Sequence, residues 1–133
     1  ETGPGLDYST LQNWFQKAQL DPRMNTPARQ LSGGESQKLA LIGALASQPD
    51  LLFLDEPTAH LDFESIDFIE AQIIAARKSG TTIVMTSHNR TQAERLAEYV
   101  IFMENGKIVE VASAKTFFSS PQTKAAKTYL KHY

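Results

Sequence analysis

Apolar residues recur along the chain in two patterns, one typical of helices and one typical of strands. A spacing of three or four residues predicts helices over residues 9–20, 35–47 and 63–79. Short apolar runs at residues 51–54 and Thr82–Thr86 predict two strands. Four successive apolar residues indicate a strand buried on both faces, so we expect the strand at 51–54 to lie in a parallel sheet. The pattern predicts an α/β fold with parallel strands flanked by helices.

Residues with known preferences for helix ends set the limits of these helices. Ser9 or Thr10 can cap the first helix, whose apolar face is Leu11, Trp14, Phe15 and Ala18. Asp62 can cap the third helix, and Gly80 ends it. The apolar stripe of that helix is Ile66, Ile69, Ile73 and Ala76.

The last third of the chain is predicted to hold a hairpin between two helices. Asn105 and Gly106 are a strong turn signal, so residues 99–103 and 107–111 are expected to form a β-hairpin. Thr91 with Glu94 three residues later has the capping-box spacing and predicts a short helix to about residue 98. Pro121 is expected to begin a last amphipathic helix, whose apolar residues are Ala125, Ala126, Tyr129 and Leu130.

Composition excludes several classes of protein. The 133 residues are 41% hydrophobic, which is enough for the core of one ordinary domain. A net charge of −2 without long single-sign blocks gives no electrostatic case for nucleic acid or an anionic membrane. The absence of cysteine excludes disulfides and thiolate metal sites. The longest apolar run, residues 39–46, is far too short to span a membrane. Because the first residue is Glu1, we expect a piece of something longer.

The segment Ser32-Gly33-Gly34-Glu35 has the features of an anion site at a helix start. Ser32 and Glu35 have capping-box spacing, and the two glycines let a ligand approach the backbone closely. The predicted helix from residue 35 leaves free N–H groups and a positive dipole end at this loop. Since a capping box alone is common, the segment by itself favours a plain helix cap over a phosphate site.

Polar residues follow each of the two predicted strands directly. Asp55 and Glu56 follow the first strand, and His88 follows Thr82–Thr86 by two residues. Ligands of open α/β sheets bind at the carboxyl ends of the strands, so we expect these side chains at a binding site. Neighbouring strand residues point to opposite sides, so the two acids are not a shared-proton pair. Read alone, His88 is interpreted as a structural histidine rather than a ligand.

Together, LSGGESQ at residues 31–37, LLFLDEP at 51–57, the turn 58–62 and His88 resemble the second half of an ABC-type ATPase domain, over roughly residues 6–111. The resemblance implies the C-terminal part of a P-loop NTPase (ABC ATPase) domain with a C-terminal β-hairpin. Residues 1–48 would be the end of the helical subdomain, with the signature loop and helix. Residues 49–133 would be a partial RecA-like core.

The resemblance also implies roles for individual residues. Ser32, Gly33, Gly34 and Glu35 would form the nucleotide-binding signature loop, which touches the γ-phosphate of an ATP held by the opposite subunit. Asp55 would hold Mg²⁺ through water, Glu56 would be the general base, and His88 the switch histidine. The D-loop residues Ala59, Leu61 and Asp62 would meet the opposite subunit. Three residues depart from the family habit without removing a catalytic group: Lys38, Gly43 and His60.

A P-loop, G-x-x-x-x-G-K-[ST], is missing from the sequence. The one Gly-Lys pair is Gly106-Lys107, with isoleucine both five residues before the glycine and directly after the lysine. Because the P-loop supplies most phosphate contacts, we expect the chain alone to show no steady ATPase and no tight ATP binding.

The complete parent is expected to be an importer-like ATP-binding subunit that hydrolyses ATP with Mg²⁺ at the cytoplasmic face of a membrane. Its partners would be a second nucleotide-binding subunit and membrane-spanning subunits. The alternatives are a non-transport ABC protein of the translation-factor type and a non-catalytic dimerisation module. In the family's sheet the P-loop strand lies between Thr82–Thr86 and residues 99–103. We therefore expect an N-terminal half or a swapped copy to fill that gap, or the two strands to pair directly.

Overall fold

The computed structural model describes residues 8–132, which divide into two compact units at the junction of Thr86 and Ser87. The first unit contains three helices and two strands, listed here in chain order: α1 (Tyr8–Lys17), α2 (Gly33–Ala46), β1 (Leu51–Asp55), α3 (Phe63–Lys78) and β2 (Thr82–Thr86). Short 3₁₀ turns at Asp21–Arg23 and Ala28–Gln30 connect α1 to α2. The predicted division at residues 48 and 49 stays a prediction.

The first helix is shorter at its carboxyl end than the prediction of residue 20. It begins at Tyr8, so neither Ser9 nor Thr10 caps it, and it ends at Lys17. Gln19 has a φ of 57°, and the N–H of Leu20 donates to the carbonyl of Phe15 at 2.7 Å. These features form a Schellman motif, which ends the helix although no glycine is present. Glu1–Gly5 and the side chain of Leu11 lie outside the described residues.

The caps of the two long helices follow from residues close in sequence. Ser32 caps α2 in a complete capping box, which confirms that prediction, but the helix begins at Gly33 rather than at residue 35. Both glycines are therefore inside the first turn of the helix. Asp62 caps α3 as predicted, accepting a hydrogen bond from the N–H of Ser65. Gly80, with a φ of 105°, ends α3 in a second Schellman motif.

The core of the first unit lies between α2, α3 and one face of the sheet. Leu41 and Leu45 of α2 pack with Leu52 of β1 and with Ile69 and Ile73 of α3. A second cluster joins the end of α1 to α2 through Ala18, Leu20 and Ile42, and Trp14 packs against both clusters.

The strands of the first unit pair in parallel, with Leu51 opposite Thr82 and Asp55 opposite Thr86. The prediction that β1 is buried on both faces is wrong. Leu52 is buried, whereas Leu51 is 49% exposed and Phe53 is 70% exposed. The cause is that α2 and α3 pack against Leu52 on one face of β1, whereas Leu51 and Phe53 alternate with Leu52 and point to the opposite face.

The second unit is a hairpin with three short helices: α4 (Arg90–Leu96), β3 (Tyr99–Glu104), β4 (Lys107–Ser113), α5 (Ala114–Ser119) and α6 (Lys124–His132). Asn105 and Gly106 both have positive φ, which confirms the predicted tight turn. The aromatic ring of Phe102 packs on Phe117 and Tyr129, with ring centroids 5.6 Å and 5.3 Å apart.

Two predicted helix boundaries in this unit are wrong. Asn89, rather than Thr91, caps α4, because its side chain accepts the N–H of Gln92. The last helix begins at Lys124, and the preceding helix α5, capped by Ser113, was not predicted.

Direct pairing of β2 with β3 does not occur in the described residues, where β2 pairs with β1 and β3 with β4 in separate two-stranded sheets. That alternative of the sequence prediction is wrong, since β3 has β4 as its strand partner in this part of the chain. A partner along the other edge of β2 stays a prediction.

Candidate functional site

The signature segment (residues 31–37) forms the start of α2 and presents backbone N–H groups. The first intrahelical bond of α2 runs from the N–H of Ser36 to the carbonyl of Ser32, at 2.9 Å. The N–H groups of Gly33 and Gly34 precede that bond, so the helix gives them no acceptor. Ser32 and Gly33 are exposed, and a Cβ built on Gly33 would meet nothing within 4 Å. The segment is therefore an open helix N-terminus of the kind that binds anions.

The Glu35 side chain holds this turn from within the same chain. One carboxylate oxygen accepts the Ser32 N–H at 2.8 Å, and the other lies 3.4 Å from Nε of Arg23. The Ser32 N–H, and then the charge of Arg23, lower the pKa of Glu35, so it is ionised at neutral pH. Both oxygens are thus engaged in shaping the turn. The sequence prediction placed Glu35 among the nucleotide-binding residues, and that direct role stays a prediction.

The turn before α3 lies next to the signature segment. A polar pocket of about 270 Å³ is lined by Ser32, Gly34 and Glu35 on one side and by Asp62 and Ser65 on the other. A Cβ added at Gly34 would lie 3.4 Å from Cδ2 of Leu61. Of the predicted dimer-contact residues, Leu61 therefore packs beside the signature helix.

The Asp62 carboxylate is committed to the cap of α3. It accepts the backbone N–H of Ser65 at 2.9 Å and the Ser65 hydroxyl at 2.8 Å. These bonds lower its pKa, so Asp62 is ionised at neutral pH. Ala59 is half-buried and donates its N–H to the carbonyl of Glu56. The turn 56–62 is thus ordered by its own bonds.

The two acids at the end of β1 are organised by the neighbouring strand. The Thr86 hydroxyl lies 2.5 Å from Oδ1 of Asp55, and the N–H of Glu56 donates to the same hydroxyl at 3.0 Å. Glu56 has a φ of 44°, a left-handed conformation that is uncommon for residues other than glycine. Asp55 is exposed and Glu56 half-buried, so both carboxylates are accessible at the end of the sheet.

Gln37 links the signature helix to the turn after the acids. Its side-chain Nε2 donates to the carbonyl of Pro57 at 2.9 Å, and it lies 3.5 Å from the carbonyl of Glu56. Gln37 is the last residue of the signature segment, so its side chain joins that segment to the turn at residues 56–57.

His88 belongs to the second unit and lies in the turn that precedes α4. Its side chain is exposed, two residues beyond the end of β2. The turn is held by the Ser87 hydroxyl, which accepts the Asn89 N–H at 3.0 Å and lies 2.9 Å from Oε1 of Gln92. His60 is exposed, with a φ of 60°.

Sequence reasoning missed Thr86, Gln37 and Ser65 as residues of this site. Gln37 was inside the quoted motif, and it is a polar residue on a largely apolar helix, which was a usable signal. Thr86 was visible only as the end of a predicted strand. Its role depends on the register that sets it opposite Asp55.

The oxygen chemistry at the strand end fits Mg²⁺. No group of three or more His, Cys, Asp or Glu side chains that could hold a metal occurs within residues 8–132. Mg²⁺ is usually bound by one or two carboxylates together with waters and substrate phosphates, rather than by a protein cage. The exposed carboxylate of Asp55 meets that requirement.

Within residues 8–132, no helix is long and apolar enough to cross a bilayer.

Comparison with known proteins gives consistent matches. Residues 21–91 match the family model described as "AAA domain, putative AbiEii toxin, Type IV TA system". The chain is 42% identical over 108 residues to a phosphate import ATP-binding protein PstB of Saccharolobus solfataricus, covering 81% of this chain and 42% of that protein. It is 33% identical over 121 residues to the glutamine transport ATP-binding protein GlnQ of Geobacillus stearothermophilus, covering 91% and 50%.

A solved structure shares the fold. It is titled "Structure of ATP binding subunit of ABC transporter", with a TM-score of 0.80 at 21% identity over 96% of this chain and 56% of that one. The chain spans about half the length of the curated relatives that it matches.

Proposed function

The chain belongs to the ABC-type ATPases as a C-terminal portion without a P-loop motif, and from this membership we propose that the complete subunit hydrolyses ATP to drive import across a membrane. The observation that carries the proposal is the arrangement at the end of β1. Two accessible acids stand there on a backbone fixed by Thr86 and Gln37.

Asp55 and Glu56 take different parts in the proposed reaction. Asp55 would hold Mg²⁺ through water, and the metal would neutralise charge on the transferred phosphate. Glu56 would orient and polarise the attacking water as general base. His88 would donate to a phosphate oxygen or hold that water. The left-handed backbone of Glu56 supports this assignment, because strained residues cluster at functional sites.

The signature segment would act on the nucleotide of a second subunit. The N–H groups of Gly33 and Gly34, with the Ser32 hydroxyl, would approach the γ-phosphate. This role is supported by the open surface at Gly33, where an added Cβ would meet nothing within 4 Å among residues 8–132. Ala59, Leu61 and Asp62 would lie at the same subunit interface, and Asp62 lines the polar pocket beside the signature segment.

The exposed face of the β1–β2 sheet supports a further partner. Leu51 and Phe53, with Val84 at 42% exposure, present large apolar side chains on one surface. Contiguous exposed apolar groups mark sites that another structure covers. We assign this face to the P-loop-bearing half of the subunit, with a swapped copy of this chain as the alternative. The subunit would work at the cytoplasmic face of the membrane with membrane-spanning subunits.

The names of the relatives favour a transporter over a translation factor. They are described as phosphate import and as glutamate or glutamine transport ATP-binding proteins. Because these names cover different solutes, the substrate is assigned no further than a solute taken up by an importer.

The test uses a subunit in which this chain is joined to a P-loop half. Glu56→Gln should leave nucleotide binding unchanged, abolish steady ATP hydrolysis and favour an ATP-held dimer. Glu104→Gln, at an exposed position of the hairpin, is the matched control and should retain activity. Full hydrolysis by Glu56→Gln would refute the assignment of the base. Turnover by the 133-residue chain alone, lost in Glu56→Gln, would refute the need for a P-loop.

A further inference from the structure

The Thr86 hydroxyl makes two hydrogen bonds that together connect both acids of the site. It lies 2.5 Å from Oδ1 of Asp55 and 3.0 Å from the backbone nitrogen of Glu56. An ionised carboxylate accepts only, and a backbone N–H donates only. The hydroxyl must therefore donate its proton to Asp55 and accept the N–H of Glu56. Both bonds have their direction fixed by chemistry.

The parallel register explains why a residue of β2 reaches both acids. Asp55 and Thr86 are register partners at the last pair of the two strands, and Glu56 leaves the sheet directly afterwards. The backbone of Glu56 turns away with a φ of 44°. Such a conformation is strained in a residue other than glycine and persists only where neighbouring groups hold it in place. The bond from its N–H to Thr86 is one such determinant.

We propose that Thr86 is a positioning residue for ATP hydrolysis, which orients the Asp55 carboxylate and the Glu56 backbone as one unit. The effect of Thr86 on catalysis rests on the proposed function. Its effect on the position of Asp55 and Glu56 rests on the two hydrogen bonds alone. The hydroxyl fixes one oxygen of Asp55, and the other oxygen would be the one available to Mg²⁺. The same hydroxyl sets where the Glu56 carboxylate stands relative to Asp55.

Two substitutions separate the hydroxyl from the shape of the side chain. Thr86→Val keeps a β-branched side chain suited to a strand but can make neither bond. Thr86→Ser keeps the hydroxyl and loses a methyl group. Thr82→Val is the matched control, because Thr82 is an exposed threonine of the same strand with Leu51 as its partner. Thermal unfolding of all three variants checks that each folds.

The structural part is tested on the 133-residue chain by amide hydrogen exchange. In Thr86→Val the Glu56 N–H should exchange about fivefold faster than in the unmodified chain, as expected for the loss of one hydrogen bond of about 1 kcal/mol. Thr86→Ser and Thr82→Val should retain the original rate. An unchanged rate in Thr86→Val would overturn the proposal, whatever the enzyme activity.

The catalytic part is tested in the subunit joined to a P-loop half. Thr86→Val should lower kcat for ATP about 10- to 100-fold and leave KM within about twofold, since a misplaced base slows the chemical step more than binding. Thr86→Ser should restore most of kcat. Faster exchange together with an unchanged kcat would overturn the positioning role.

Failure of the proposed function has a different signature. If the unmodified subunit hydrolyses no ATP, the assignment as an ATPase fails. The hydrogen-exchange result still supports or overturns the structural part.

Discussion

Two glycines of α2 with open surroundings provide a matched pair of substitutions, Gly33→Ala and Gly43→Ala. A Cβ built on either residue would meet nothing within 4 Å, and neither residue has a positive φ. Alanine therefore fits at both positions without strain. The two differ in location, because Gly33 begins the helix in the signature segment and Gly43 lies in its exposed interior.

The expected stabilities follow from these positions. Glycine in an exposed helix interior is about 0.8–1.0 kcal/mol less favourable than alanine, so Gly43→Ala should raise the free energy of unfolding by about that amount. In a unit of this size 1 kcal/mol corresponds to roughly 4–8 °C in Tm. Gly33→Ala, at the first helical position on the surface, should change stability by no more than about 0.5 kcal/mol.

The two variants should differ in activity. If the γ-phosphate of an ATP held by the opposite subunit approaches Gly33, the added methyl group would push that phosphate away. A displacement of about 1 Å can lower the rate of the chemical step about 100-fold. We expect Gly33→Ala to lower the ATPase rate of the joined subunit at least about tenfold, while Gly43→Ala retains it. Thermal unfolding and steady-state hydrolysis measure both effects. Normal hydrolysis by a stably folded Gly33→Ala subunit would refute the close approach of a ligand to this glycine.

Three other substitutions have definite expected outcomes. Ser32→Arg should block closure of the dimer, measured by size-exclusion chromatography with ATP, and should leave ATP binding by the monomer intact. Loss of ATP binding by the monomer would contradict the proposal that Ser32 contacts the ATP of the opposite subunit. Ile69→Ala, at a core residue that is 1% exposed, should lower the free energy of unfolding by about 2–5 kcal/mol in urea titrations, and a cost below about 1 kcal/mol would contradict the core assignment. The carboxylate of Glu110 accepts hydrogen bonds from the N–H groups of Gln122 and Thr123 at 2.9 Å, and these bonds lower its pKa in the folded state. The ionised carboxylate therefore stabilises the fold at pH values above the pKa of the unfolded state, and this stabilisation is lost as the pH falls through the lower pKa of the folded state. Glu110→Gln should therefore be less stable than the unmodified chain at pH 7, and the gap should narrow as pH falls below about 4.3; a gap independent of pH would contradict this.

Local chemistry made several features predictable from the sequence. Ser32 and Glu35 are three residues apart, as are Asp62 and Ser65. The hydrogen bonds within each pair form at the first turn of the helix that the pair begins. Asn105 and Gly106 adopt positive φ in a turn that their own backbone preferences favour. In each case the interacting atoms belong to residues within one turn of chain. Their spacing was therefore sufficient evidence.

Helix ends without a distinctive residue were less predictable. Gln19 ends α1 in the left-handed conformation that glycine usually provides, and Asn89 competes successfully with Thr91 for the cap of α4. The short helix α5 contains Phe117, which is 1% exposed. Tertiary packing, which propensity does not include, stabilises a helix of only six residues.

The sequence by itself determined that two acids follow an apolar strand and that a glycine-containing cap begins the helix before it. Only the tertiary structure decided what holds the acids. Thr86 is 31 residues from Asp55, and Gln37 is 20 residues from Pro57, so their bonds depend on strand register and on the position of α2. The exposure of Phe53 was likewise decided by which elements pack on β1, because an apolar run is the same whether one face or both are covered. Interactions within one turn are encoded by spacing, whereas interactions across the sheet require the fold.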